Sequence, residues 1–343
     1  MLFRSFSFHL SPDETHYALY AINPGWSYFD HPPLAGWLQW PWAKLGGQDV
    51  LMRIVPMVCW ALAALGVMAV TAELSLSRAA VSPATQALVS PATFTRRAAL
   101  LLWSLSPIPH LLGLALVPDT LLLPLICAIM LVTWRLCNEA HMRRWPLWLG
   151  LGVLLGLAGL SKYTAVLIAA GVIVALLLAH GLRFLAQPQP WVAALVAALL
   201  ISPVILWNAT HDWISLAYQF SHAKGIAEWR ASKMAGFVLV QLLGYGLLLL
   251  VGWLAAWRLS PRGDEVDPSV GLVAGVMSGP RISVALFCAC FGLPPLLLLT
   301  YFSGRGATLP HWSASAWAAL VPAAAIGCQM LWQRRLLIGL LDV

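Results

Sequence analysis

Several apolar runs of about 17 to 25 residues constrain the fold of this chain more than any other feature. A helix of that length crosses the hydrocarbon core of a bilayer, where the backbone must satisfy its hydrogen bonds internally. Hydrophobic residues make up 60% of the chain, charged residues only 10%, and the mean hydropathy is +0.81. These values exclude an ordinary soluble domain and predict an all-α polytopic membrane protein.

Hydropathy predicts nine spans. They cover residues 52–74, 99–116, 120–137, 147–161, 163–179, 191–207, 234–257, 282–302 and 313–333. If the spans alternate in direction, most arginines of the connecting loops fall on one side, which should be cytoplasmic. These are Arg78, Arg96, Arg97, Arg135, Arg143, Arg144, Arg183, Arg258, Arg262, Arg281, Arg334 and Arg335. The net charge of +7 is therefore a topology signal, and it does not indicate a nucleic-acid partner.

A single membrane domain is predicted, because the sequence shows no clear internal repeat, linker or low-complexity tract. Residues 11–49 would form an outer loop and residues 52–333 the transmembrane bundle. The six cysteines lie in or at the ends of apolar runs, without the spacing of a metal site, and are interpreted as packing residues.

Five polar segments fall on the side opposite to the arginines. They are the opening stretch SPDETHYALYAINPGWSYFDHPPLAGWLQWPW at 11–42, VPD at 117–119, LSKYT at 160–164, WNATHDWISLAYQFSHAKGIAEWRASK at 207–233 and FSGRGATLPHW at 302–312. Helix capping and connection of the spans alone explain the polar residues of these segments poorly. An outward-facing active site, where the segments meet, is the simplest interpretation.

The opening stretch has the pattern of a capped helix. Ser11 would be the N-cap, Pro12 the first helical residue, and Glu14 the residue that reaches back to the backbone in a capping box. Successive helical side chains point about 100° apart, so Glu14 takes a structural role while Asp13 can face outward. Tyr17 and Tyr20 would share the face of Asp13. A second interfacial helix is expected between Asp30-His31-Pro32-Pro33 and Gly46-Gly47.

Six motifs occur in this order: DETHYA, YFDHPPLAGWL, VPD, GLAGLSKYTAVL, SPVILWNATHDW and LPHWSASAW. Together they resemble the bacterial members of glycosyltransferase family 39, which includes the protein O-mannosyltransferases and the lipid A aminoarabinose transferases of the membrane-embedded GT-C class. The matches extend from about residue 11 to about residue 325. The resemblance implies a GT-C-like helix bundle that transfers a sugar from a polyprenyl-phosphate donor. The acceptor would be a protein, lipid A, another glycolipid or another cell-envelope molecule at the outer face of the inner (plasma) membrane, with the active site facing the periplasm or exterior.

The resemblance also implies roles for the outer loop. The catalytic acid of the family maps onto Asp13, and the second acidic position of the loop onto Asp30, with His31 beside it. The transfer needs a base for the proton of the acceptor hydroxyl and cationic groups for the departing phosphate, so Asp13 is assigned as the base. Taken alone, Asp13 and Asp30 are equally well interpreted as a first-turn acid and an N-cap acid.

Other residues of the polar segments are candidates for binding the donor. They are Asp119, Lys162, His222, Lys224, Arg230, Lys233, Arg305 and His311. Asp119 could instead cap the following span, and Lys162 could extend to the membrane interface without touching substrate; the family motifs favour function for both. No cofactor is expected, and a divalent ion held with Asp30 or Asp119 is left open.

The chain departs from the family pattern at both ends, since relatives place a span before the acidic loop and further segments after the PHW motif. We therefore expect that the first span and the C-terminal part of the family are lacking. Two other classes of function remain as alternatives, a secondary transporter with a broken helix near Ser161 and a non-catalytic, truncated relative. Within the spans, the buried polar residues His110 and Gln241 are expected to hydrogen-bond to neighbouring helices.

Overall fold

The computed structural model describes residues 9–79, 91–224, 228–259, 282–306 and 308–341, which are helical and include no strand. The α-helices are Pro12–Ile22 (α1), Leu34–Lys44 (α2), Asp49–Met52 (α3), Ile54–Ala79 (α4), Pro91–Leu105 (α5), Pro107–Leu112 (α6), Pro118–Leu136 (α7), Trp145–Ser161 (α8), Ala165–His180 (α9), Pro188–Ala209 (α10), Ile214–Lys224 (α11), Ala231–Tyr245 (α12), Leu247–Leu259 (α13), Val284–Ser303 (α14) and Ala314–Leu341 (α15). Short 3₁₀ turns span Glu139–His141, Gly181–Ala186 and Pro310–Ser313.

The described helices agree with a polytopic membrane protein. Six of them are long and apolar enough to cross a bilayer, and a seventh span results if the bent pair α12 and α13 is taken as one. Helix α8 is apolar but shorter, with 17 residues. Each of the nine predicted segments contains helix, while the count of nine spans stays a prediction.

Two predicted spans are broken by local backbone chemistry. Segment 99–116 breaks at Ser106, because the residue before a proline avoids helical backbone angles and Pro107 follows. Segment 234–257 breaks at Gly246, whose φ of +93° suits glycine alone, and the axes of α12 and α13 differ by 87°. These two segments are therefore not continuous helices.

Helix α12 lies across one end of the bundle. Near its start, the Lys233 ammonium lies beside Gly306, where an added Cβ atom would be 2.8 Å from Nζ. At its end, the Tyr245 hydroxyl donates to the Pro310 carbonyl over 3.2 Å, and the Ser106 hydroxyl donates to the Tyr245 carbonyl over 2.9 Å. Both ends of α12 thus contact the end of the bundle where α14 finishes and α15 begins.

Helix α15 occupies the centre of the bundle and packs against α4, α5, α7, α13 and α14. Its contact with α13 is close because glycines lie on both sides. A Cβ atom added at Gly327 would collide with the Gly252 carbonyl, and one added at Gly252 would lie 2.5 Å from the Ala324 carbonyl. Small residues let helix backbones approach in this way within membranes, and such a contact fixes the relative position of the two helices.

Candidate active site

Helix α1 begins with the predicted capping box. The Ser11 hydroxyl accepts a hydrogen bond from the Glu14 amide over 3.3 Å, and the Glu14 carboxylate accepts one from the Ser11 amide over 2.9 Å. The structural role expected for Glu14 is therefore confirmed. The Asp13 side chain is exposed at the surface of α1, as the helical spacing predicted.

Arg53, which sequence reasoning missed, holds α1 against the bundle. Its guanidinium donates to both carboxylate oxygens of Glu14, over 2.8 and 3.2 Å, and both side chains are buried. A second donor reaches the His9 carbonyl over 3.0 Å. A lone arginine at the start of an apolar run needs a partner, and that signal could have identified it. The ion pair fixes α1 and thereby the position of Asp13.

A buried ion pair joins two of the family-like motifs. The Lys162 ammonium lies 2.7 Å from each carboxylate oxygen of Asp119, and the two side chains are only 8% and 5% exposed. Asp119 lies in the first turn of α7, and Lys162 follows the last residue of α8. The Ser161 hydroxyl donates to the Pro118 carbonyl over 2.7 Å, so the ends of the two helices are also joined through backbone.

The PHW turn completes this cluster. His311 Nε2 lies 3.8 Å from an Asp119 oxygen, and the Lys162 ammonium lies over the Trp312 ring, 5.2 Å from its centroid. Asp13 interacts electrostatically with His311, alongside Asp119 and Lys162. The structure thus brings together Asp119, Lys162 and His311, which the sequence placed in three separate segments, with the Asp13 charge acting on His311.

A second cluster surrounds Asp30. The Tyr20 hydroxyl donates to one carboxylate oxygen, while His16 Nε2 and His31 Nδ1 lie 2.9 and 3.2 Å from the other. The Tyr17 hydroxyl lies 3.4 Å from His31 Nδ1. Only the position of Asp30 and His31 was predicted as part of a site; His16 and Tyr20 are additional partners. Tyr17 also interacts electrostatically with both Asp13 and Asp119, so the two clusters are neighbours.

Helix α11 packs on this second cluster. The Ser215 hydroxyl donates to the Tyr28 carbonyl over 2.9 Å, and the Gln219 amide donates to the Asp30 carbonyl. The turn before α11 is held by Asn208, whose buried side chain accepts from the Ser215 amide over 3.2 Å. The Asn208 amide nitrogen also lies 3.5 Å from the Tyr163 hydroxyl, next to Lys162. The WNATHDW motif therefore positions α11 against the opening stretch.

Burial and hydrogen bonding perturb the titration of the second cluster. Burial raises the pKa of the Asp30 carboxyl, but hydrogen bonds from His31, Tyr20 and His16 and the charge of His31 lower it more, so the net pKa lies below the usual range. Burial and the charge of Asp30 raise the pKa of Tyr17 and Tyr20. Asp30 is thus ionised and both tyrosines are neutral at physiological pH.

Replacement of Asp30 by Asn should destabilise the protein at pH 7 by about 1.5–3 kcal/mol, the typical worth of hydrogen bonds to a charged group. Because the folded-state pKa is lowered, the contribution of Asp30 is present above its unfolded pKa of about 4 and is lost as pH falls below it. Thermal unfolding in detergent at pH 7 and pH 3 measures both effects. Asp212, an exposed acid on the same side, provides the control Asp212→Asn. Equal stability of wild type and Asp30→Asn at pH 7 would contradict the expectation.

The remaining candidates lie outside these two clusters. Arg305 follows α14 in a turn and is partly exposed. The side chains of His222 and Lys224 lie outside the described residues. Lys233 lines a cavity of about 390 Å³ near the PHW turn. Its other lining residues include Phe237, Val240, Ser303, Thr308 and Pro310. Across the described ranges, no group of three or more His, Cys, Asp or Glu side chains could hold a metal ion, and the expectation of no cofactor stays a prediction.

Comparison with known proteins gives one family and one fold. Residues 30–207 match the family described as dolichyl-phosphate-mannose-protein mannosyltransferase. The apo structure of ArnT from Cupriavidus metallidurans superimposes with a TM-score of 0.65 at 15% identity, covering 96% of this chain and 58% of that one. The structure of the same protein bound to undecaprenyl phosphate gives 0.61 at 17% identity, covering 93% and 56%. This chain therefore spans little more than half the length of ArnT. No curated protein matches it.

Proposed function

Because this chain belongs to the dolichyl-phosphate-mannose-protein mannosyltransferase family and has the GT-C fold of ArnT, we propose that it transfers a sugar from a polyprenyl-phosphate carrier to a hydroxyl group of a protein, lipid A or another glycolipid. The observation that carries the proposal is the cluster of Asp119, Lys162 and partly exposed His311, with the exposed carboxylate of Asp13 close enough for its charge to act on His311. The cluster offers a base and cationic or hydrogen-bonding groups at one end of a membrane bundle.

Asp13 serves as the base in the proposed reaction. It accepts the proton of the acceptor hydroxyl, whose oxygen forms a bond to the anomeric carbon of the donor sugar. The bond between that carbon and the phosphate oxygen breaks, and its electron pair leaves with the polyprenyl phosphate. One carboxylate suffices for such an inverting displacement, and by analogy with glycosidases the transition state resembles an oxocarbenium ion.

Lys162 and His311 stabilise the departing phosphate. The Lys162 ammonium has three N–H donors, and Asp119 accepts from two directions, which leaves the third for a phosphate oxygen. Asp119 therefore fixes the ammonium in place, while the Trp312 ring covers one side of it. Arg305 and Lys233 are further proposed contacts of the phosphate, as are His222 and Lys224. Asp30 and His31 shape the neighbouring wall and bind the sugar or the acceptor.

The carrier class is proposed from the fold relative and from the cavity. ArnT has been solved bound to undecaprenyl phosphate, which is a polyprenyl phosphate. The cavity beside the PHW turn has a volume in the range of small-molecule sites, with apolar walls from Phe237 and Val240 and a cation, Lys233, at one side. An apolar chain with an anionic end fits such walls.

The site is proposed to face the periplasm. Asp119 lies at the start of α7, whereas Arg135 lies at its end. Arg144 precedes α8, Arg183 follows α9 and Arg258 ends α13, so these cations are at the opposite end of the helices. The positive-inside rule then assigns the arginine end to the cytoplasm and the site to the outer face of the inner membrane.

Sugar transfer by the purified protein in liposomes tests the proposal. Polyprenyl phosphates that carry radiolabelled mannose or labelled aminoarabinose are offered together with lipid A or with a protein acceptor. We expect label in the acceptor fraction and release of unlabelled polyprenyl phosphate. Accumulation of sugar inside the liposomes without transfer would favour a transporter instead. Absence of both activities would favour a non-catalytic relative.

A further inference from the structure

Gln241 of α12 is a buried amide, only 3% exposed, with apolar neighbours on both sides in the sequence. Its nitrogen donates to the Pro310 carbonyl over 3.0 Å. Its oxygen accepts from the Trp317 indole over 2.7 Å and from the Ser313 hydroxyl. All of these partners belong to the PHW turn or to the first turn of α15. One side chain thus bonds to three groups in an eight-residue stretch.

Burying the Gln241 amide costs free energy, and its hydrogen bonds to the PHW turn suggest that it positions this turn. A buried amide loses its hydration and is tolerated only when its polar atoms are paired, whereas replacing the amide together with its partners by apolar groups can be nearly neutral for stability. Packing of α12 against its neighbours does not by itself require an amide at position 241. What the amide supplies and an apolar side chain could not is a directed bond to the Pro310 carbonyl, which also accepts from the Tyr245 hydroxyl.

Pro310 immediately precedes the two residues of the turn that contact the buried ion pair. His311 lies 3.8 Å from Asp119, and Trp312 lies under the Lys162 ammonium. The turn from Pro310 to Ser313 is four residues long, too short to fix its own orientation by backbone hydrogen bonds. Within the turn, the Ser313 hydroxyl also lies 3.0 Å from the Pro310 carbonyl, and the Gln241 side chain bonds to both of these residues from outside the turn.

We infer that Gln241 is a positioning residue: through the Pro310 carbonyl and Ser313 it sets the placement of His311 and Trp312 against Asp119 and Lys162. The inference rests on the proposed function for its catalytic consequence. A displacement of about 1 Å in a reacting group costs on the order of 100-fold in rate. Since His311 would act on charge that develops in the transition state, its misplacement should lower kcat and leave KM for the donor nearly unchanged.

Gln241→Met tests the inference, because Met keeps the length of the side chain and removes its hydrogen bonds. The matched control is Gln189→Met, another buried glutamine, at the start of α10, which ends beside the site with Asn208. Hydrogen exchange of the Trp312 amide, which bonds to the Leu309 carbonyl over 3.2 Å, reports on the turn without requiring activity. Steady-state sugar transfer reports on catalysis.

We expect exchange at Trp312 to be about tenfold faster or more in Gln241→Met, with kcat lowered about 10- to 100-fold and donor KM changed by less than about threefold. Gln189→Met should match the wild type in both measurements. Unchanged exchange in Gln241→Met, or an equal effect of Gln189→Met, would overturn the inference. If the wild-type protein transferred no sugar, the proposed function would fail, while the exchange comparison would still decide whether Gln241 holds the turn.

Discussion

Asp13→Asn should lower the rate of sugar transfer by about 100- to 10,000-fold, the range that a positioned general base contributes. Asparagine has the size of aspartate but cannot accept the proton of the acceptor hydroxyl. The capping box of Ser11 and Glu14 and the ion pair of Glu14 with Arg53 remain intact in this variant. Initial rates with a labelled polyprenyl-phosphate sugar measure the effect, and unfolding temperature confirms that the variant is folded.

Asp49→Asn is the matched control, since Asp49 is another acid of the outer loop, partly exposed and 3.3 Å from exposed His9. It should transfer sugar at the wild-type rate. The loss in Asp13→Asn should appear in kcat, because a base acts in the transition state. Equal rates for Asp13→Asn and the wild type would remove Asp13 from the mechanism.

Lys162→Met should destabilise the protein by about 3–5 kcal/mol, because it removes the ammonium that contacts both oxygens of the buried Asp119 carboxylate. The double variant Asp119→Leu with Lys162→Met replaces the pair by apolar groups and should regain most of that stability. It should still lack sugar transfer, since the cation for the phosphate is gone. Thermal unfolding in detergent and the transfer assay separate the structural from the catalytic role of the pair.

The exposed pair of Arg135 and Glu73 provides the comparison. Its atoms lie 3.1 Å apart, but the side chains are 42% and 32% exposed. Water screens such a pair, so Arg135→Met should lower the free energy of unfolding by less than about 1 kcal/mol.

If the double variant at Asp119 and Lys162 were as active as the wild type, the Asp119–Lys162 pair would have a purely structural role.

The fold class could be predicted because the mean hydropathy of a window depends only on its residue composition. A break in the helix within that window leaves this mean unchanged. The breaks could not be predicted from hydropathy for the same reason. Gly246 is as compatible with an apolar window as any of its neighbours, yet its backbone turns the chain by 87°. Pro107 did carry a local signal, since proline restricts the residue before it, and this signal was present in the sequence.

The local part of the site could also be predicted. A capping box depends on residues three positions apart, so Ser11 and Glu14 sufficed to orient Asp13. Long-range partners carry no such periodic signal. Glu14 and Arg53 are 39 positions apart, and Asp30 and Gln219 are 189 positions apart. The motif resemblance identified Asp119, Lys162 and His311 separately, and only the structure shows that they form one cluster.

The glycine contact between α13 and α15 also limits how these two helices can move relative to each other. With Gly252 and Gly327 in backbone contact, α13 and α15 cannot approach each other any further, and a Cβ atom at either position would push them apart. Helix α11 is joined to the opening stretch by two side-chain hydrogen bonds, from Ser215 to the Tyr28 carbonyl and from Gln219 to the Asp30 carbonyl. If the proposed polyprenyl-phosphate donor binds, we therefore expect displacement of α11 to admit it, and a cross-link between α11 and the opening stretch should block sugar transfer.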